Sequence, residues 1–163
     1  MSTFTIHPGS DETLQALERN IGFIPNLAAA IAASPTALAG FVGLQTALRG
    51  STLTGLEREV VGVTVSHFND CAYSIAAHSK FARMQGAGDA LVAALASGEP
   101  LPDVRLQSIR AFTLALLERR GHVTSDLPPE VALEVIAQVA YTTLANYAAD
   151  VSGATIDAAF MDN

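Results

Sequence analysis

The chain has 163 residues, half of them hydrophobic and 15% charged, with a formal net charge of −7. That charge, with no Lys/Arg cluster beyond Arg119-Arg120, argues against a nucleic-acid groove or an anionic membrane surface. The longest apolar run, residues 27–33, is far short of the roughly 20 residues a membrane span needs, and the first residues lack the basic-then-apolar pattern of a secretory signal.

Breakers punctuate the chain at regular intervals, and most intervals read as helix. Residues 11–20 are amphipathic, and Gly22-Phe23-Ile24-Pro25 then turns the chain. Ser34-Pro35 is an N-cap followed by proline at the first helical position, opening a helix to about Arg49 that stops at Gly50. Thr54-Gly55-Leu56-Glu57 is a capping-box pattern. The segment behind it, Val60-Val61-Gly62-Val63-Thr64-Val65, is β-branched and alternating, the signature of a strand. Helix is the better reading, because the capping box opens it and no second strand exists to pair with it. The segment that begins at Cys71 ends at Gly86, and a short helix over 89–97 closes at Gly98. Asp103 caps a longer helix to Arg120, and Pro128-Pro129-Glu130 starts the last long one, to about Asp150, with a short tail near 156–160. The expected fold class is all-α, a bundle of about seven to nine helices in a single domain over 1–163, with its motif core about 52–86.

Two features carry chemistry. On a helix, Leu56, Glu59, Val60 and Val63 share one face, which embeds the Glu59 carboxylate in an apolar stripe. Further on, Asn69-Asp70-Cys71-Ala72-Tyr73-Ser74-Ile75-Ala76-Ala77-His78 holds the chain's one cysteine and a histidine seven residues later. Seven residues is close to two turns, so Cys71 and His78 share a face with Ser74 between them. The Asn-Asp turn places Cys71 near a helix start, where the dipole favours a thiolate, so a lowered thiol pKa is expected. One cysteine rules out an internal disulfide and suits a reducing, cytoplasmic setting. Asn146, beside Tyr147 in an apolar helix, reads as a buried hydrogen-bonding residue. His7, His67 and His122 have no partner at a useful spacing, and no metal-ligand set or cofactor motif is evident.

These residues resemble the alkylhydroperoxidase D-like proteins of the carboxymuconolactone decarboxylase superfamily, whose pattern is a glutamate, a dozen residues, Cys-x-x-Cys, and a histidine after three more. Here Glu59 precedes Cys71 by 12 residues and His78 by 19. Gly22-Phe23-Ile24-Pro25-Asn26-Leu27, Thr64-Val65-Ser66, Thr143-Leu144-Ala145-Asn146-Tyr147 and Thr155-Ile156-Asp157-Ala158-Ala159-Phe160 are similar to the peroxidase-related subgroup. The resemblance implies an all-helical oligomer and thiol-based peroxide reduction, with Glu59 as relay acid, His78 as base, Cys71 as the first cysteine and an external thiol or redox protein as reductant. Two positions depart from it. Ser74 replaces the second cysteine, and Tyr73 stands where some members have histidine. A serine hydroxyl cannot cycle through a sulfenic acid, so the two-cysteine cycle is excluded. The stretch 121–129 is also shorter than the subgroup's link, which usually contains an extra helix.

Three readings remain open on the sequence. The first is a one-cysteine peroxidase acting on a small peroxide. The second is a decarboxylase-like acid–base enzyme on a small carboxylated substrate, with Glu59 and His78 moving the proton and Ser74 and Tyr73 binding substrate. The third is an inactive helical oligomer serving as a binding module. The apolar excess favours a homo-oligomer (dimer, trimer or hexamer) in all three.

Overall fold

Local side-chain caps mark where several of the helices begin. The computed structural model describes residues 4–161, and within them a 3-10 turn at Pro8–Ser10 is followed by nine α-helices and no strand. They are α1 (Asp11–Ile21), α2 (Asn26–Ile31), α3 (Pro35–Leu48), α4 (Gly55–Phe68), α5 (Ala72–Met84), α6 (Asp89–Ser97), α7 (Val104–Glu118), α8 (Pro129–Ser152) and α9 (Ala158–Met161). Ser34 caps α3 and Asp103 caps α7 through their side chains, and Thr54 and Glu57 form the full capping box at α4.

The ambiguous β-branched run is helical and lies at the centre of the molecule. Helix α4 packs against α5, α6, α7 and α8, and residues 60–66 are all buried. Val61 and Val65 meet Ile109 of α7 and Val135 of α8, while Val60 and Val63 meet Leu95 of α6 and Leu106 of α7. The buried hydroxyls stay satisfied by bonding back to their own helix, Thr64 to Val60 O at 2.6 Å and Ser66 to Gly62 O at 2.7 Å. A separate apolar cluster joins α1, α2, α3, α5 and α8.

Three details differ from the sequence expectation. Helix α7 ends at Glu118 rather than Arg120, because Arg120 (φ +53°) and Gly121 (φ +80°) turn left-handed and the Gly121 amide bonds Leu116 O. The fully buried carboxylate of α4 is Glu57, at 3% exposure, not Glu59. Burial pushes the Glu57 carboxyl up, but the Arg105 guanidinium and the Thr54 amide and hydroxyl outweigh it and hold it below its ordinary value. Helix α2 was not expected at all. Its cap is remote: the Asn26 amide donates to both Asp157 carboxylate oxygens, at 3.1 and 3.2 Å.

Asp157 therefore straps the segment after α8 across the N-terminal helices. The Tyr73 hydroxyl donates to its Oδ2 at 2.6 Å, and Phe160 packs edge-on against Phe23, Tyr73 and Phe81. Asp157→Ala is expected to lower stability by about 1–3 kcal/mol, because a buried phenol and a helix-start amide lose their acceptor together. Urea unfolding checks this, and a midpoint unchanged from wild type would contradict it.

Candidate functional site

The α4–α5 connection positions the site. Asp70 takes a left-handed conformation (φ +53°), tolerable for Asp, and the Cys71 amide bonds back to Ser66 O at 3.0 Å. The turn is tied to α8 through Asn146, whose Oδ1 accepts from Asn69 Nδ2 at 2.8 Å and whose Nδ2 donates to Ser66 Oγ at 3.3 Å. Cys71 then occupies the N-cap of α5, so the helix begins where the Asn-Asp turn predicts.

Close approach of α4 and α5 is possible because position 62 is glycine. A Cβ there would lie 2.4 Å from His78 Nδ1 and 2.7 Å from its Cε1, so the imidazole lies directly over the α4 backbone. From that slot His78 Nδ1 meets Glu59 Oε2 at 2.7 Å. An ionised carboxylate only accepts, so in the neutral ring Nδ1 carries the proton and Nε2 holds the lone pair. Nε2 makes no hydrogen bond among the described residues, and no buried side-chain polar atom there lacks a partner, so Nε2 touches solvent. The ring is held from the side by Phe81, edge-on at 6.2 Å.

One further polar group, a buried phenol, lies within the field of Glu59. The Tyr141 hydroxyl of α8 accepts from Gln45 Nε2 of α3 at 3.2 Å, and its ring stacks on Phe41 at 4.9 Å. Burial, followed by the Glu59 charge, pushes the Tyr141 phenol up, so it stays protonated. Sequence reasoning missed Tyr141 and Gln45, whose only local signal is a polar residue inside a long apolar helix.

The other expected site residues point elsewhere. Cys71 is 0% exposed and its thiol donates to Asn146 O at 3.7 Å, away from the Glu59–His78 contact. Burial pushes the thiol up, Asp150 adds to this, and the Ser74 amide and hydroxyl offset only part of it. The expected lowered pKa is thus corrected: the helix start is present, but desolvation outweighs its field. Cys71 and His78 share a helix face by sequence spacing, yet one turns to α8 and the other to α4. Ser74 is buried against Cys71, one turn before His78. Tyr73, expected to bind substrate, is also buried, and its hydroxyl is engaged by Asp157 and the Leu27 amide. Of the remaining histidines, His7 caps the 3-10 turn, His122 is exposed, and His67 lines an open cleft. No cluster of three metal-ligating side chains occurs among the described residues, and no helix there is long and apolar enough to cross a membrane.

Residues 35–104, which span α3 to the start of α7 and include Glu59 and His78, match the model of the Carboxymuconolactone decarboxylase family. That match covers the middle of the chain only, and the solved structures that follow share the all-helical fold along nearly its whole length. No curated protein matches the chain significantly in sequence. Among solved structures it is similar to the alkylhydroperoxidase AhpD core of an uncharacterized peroxidase-related protein from Ralstonia eutropha JMP134, with a TM-score of 0.84, 21% identity, and 98% of this chain and 94% of that one covered. A peroxidase-related protein from Silicibacter sp. TM1040 aligns with a TM-score of 0.80, 22% identity, and coverage of 94% and 89%. The debrominase Bmp8, as a cysteine-to-alanine variant in complex with 2,3,4-tribromopyrrole, aligns with a TM-score of 0.77, 17% identity, and coverage of 98% and 94%. At these identities the likeness is one of fold.

Proposed function

We propose that the chain is a general acid–base enzyme whose Glu59–His78 pair moves a proton on a small carboxylated substrate. The observation that carries this reading is the 2.7 Å contact between Glu59 Oε2 and His78 Nδ1, with Nε2 left open to solvent. Glu59 orients the ring and stabilises the imidazolium that forms when Nε2 takes a proton. The protonated Tyr141 hydroxyl beside Glu59 adds a fixed donor to the same region. Peroxide reduction through a thiol has weaker support, because the one sulfur is sealed and its pKa is raised.

The test is proton transfer on a lactone bearing a carboxylate, followed by decarboxylation and by solvent deuterium incorporation. His78→Ala and Glu59→Gln are expected to lower kcat by about 10²–10⁴-fold, the usual worth of a positioned acid or base. Cys71→Ser is expected to leave it unchanged. Activity that survives His78→Ala, or that vanishes in Cys71→Ser with the fold intact, overturns the reading.

The same proposal includes a homo-oligomer. Leu133, Ile136, Leu144, Tyr147 and Val151 of α8 are exposed, and together with Ala140 they form an uncharged stripe along the helix. An uncharged stripe of this length is self-complementary, which favours a second copy of the chain as its cover. Leu144→Glu with Val151→Glu is expected to lower the molar mass measured by light scattering to that of one chain. A mass unchanged by both charges would exclude this face.

A further inference from the structure

On another side of α4, an open cleft of about 300 Å³ lies between α4, α6 and α7. Its walls are largely apolar, with Phe68, Leu95 and Leu114, and its polar lining includes His67, Ser97 and Arg110. Arg110 is the unusual member. It is 6% exposed, yet none of the ion pairs among the described residues includes it. Its Nη1 donates to Glu99 O at 2.5 Å, just beyond the end of α6. A guanidinium has five N–H donors, and one carbonyl leaves most of them unused. No buried side-chain nitrogen among the described residues lacks a partner, so the unused donors reach the solvent of the cleft.

We infer that this cleft is a binding site for a small carboxylate with an apolar body, its carboxylate on Arg110 and its body against Phe68, Leu95 and Leu114. A buried cation without a counter-ion is costly, and a bidentate carboxylate matches the guanidinium fork while relieving that cost. Holding the end of α6 needs only the one bond to Glu99, so it does not account for the donors aimed into the cleft. His67 stands beside Arg110 and is pushed towards its neutral form, first by burial and then by the Arg110 charge, so it can donate to the ligand without adding a second fixed charge. The site is separate from the Glu59–His78 pair, which α4 presents to α5.

Titration calorimetry and thermal shift with octanoate, acetate and inorganic phosphate test this on the full chain. Octanoate is expected to bind saturably to wild type and to His78→Ala alike. Acetate, without the apolar body, is expected to bind at least about tenfold more weakly. Arg110→Gln is expected to weaken octanoate at least about tenfold. Because Arg110 is buried and that variant can fail to fold, Ser97→Trp, at an exposed rim position, serves as the second variant and is expected to block the cleft with the same loss. No saturable octanoate binding by wild type, or undiminished binding in the folded variants, overturns the inference. Phosphate binding as tight as octanoate overturns the assignment of ligand class.

Discussion

Gly62→Ala is expected to abolish proton transfer while leaving the chain folded. The new methyl would stand 2.4 Å from His78 Nδ1 and 2.8 Å from Cγ, distances that no Cβ contact tolerates. Both α4 and α5 are anchored by packing on several sides, so the imidazole is what moves, and it leaves Glu59. Activity should fall as far as in His78→Ala, by about 10²–10⁴-fold. Stability should change far less. Overpacking costs about 1–3 kcal/mol, but alanine recovers about 1 kcal/mol of helix propensity at an interior position. Gly43→Ala is the control: it lies in α3 with nothing within 4 Å of its added methyl, and it should stabilise the chain by up to about 1 kcal/mol with no effect on activity. Full activity in a folded Gly62→Ala variant would show that the ring's place over α4 does not matter to the chemistry.

Ser74→Cys is expected to produce the opposite kind of change, a gain of peroxide reduction over a wild-type background near zero. Position 74 lies one helical turn from His78 and against Cys71 Sγ. The substitution creates a Cys-x-x-Cys pair at the start of α5. Thiolates in such pairs ionise below the free thiol's value of about 8.5, and the second sulfur can close a disulfide on a sulfenic acid formed at the first. In the cycle, peroxide oxygen passes to one sulfur and the peroxide O–O bond breaks. The neighbouring thiol then displaces water to form the disulfide, and an added dithiol restores the reduced pair. A rise of at least about tenfold in dithiol-dependent peroxide consumption is the expected readout, with a one-thiol wild type that resists alkylation until unfolded. Equal peroxide turnover in wild type and Ser74→Cys would mean that Cys71 already acts by itself, and would revive the one-cysteine reading.

What the sequence made legible was what short-range chemistry determines. The Ser34, Thr54 and Asp103 caps and the glycine stops all act within one or two turns, and each helix they announce is present. The β-branched run around Val63 became readable only through its capping box, because burial on all sides removes the amphipathic signal. Long-range partners were not readable. The cap of α2 comes from Asp157, 131 residues away, and the acceptor of the Cys71 thiol is a carbonyl of α8, 75 residues away. That second partner explains the error in the thiol's ionisation: the helix start is local, but the desolvation is tertiary. Glu59 is less buried than its place in the apolar stripe implied, and Glu57 is buried instead, for a similar reason. Arg105, from a distant helix, covers one of them, while the other faces a histidine.

The Asp157 strap also has a consequence for the order in which the molecule is completed. Residues 155–160 are synthesised after α8, yet they cap α2 and wedge Phe160 against Phe81, the ring that flanks His78. Contacts this distant in sequence close late, after the local helices have formed. A nascent chain therefore carries its helices, and even its capping box, before its imidazole is boxed in. The Glu59–His78 pair acquires its final surroundings only when residues 155–160 dock, so a segment far later in the chain completes the environment of the imidazole.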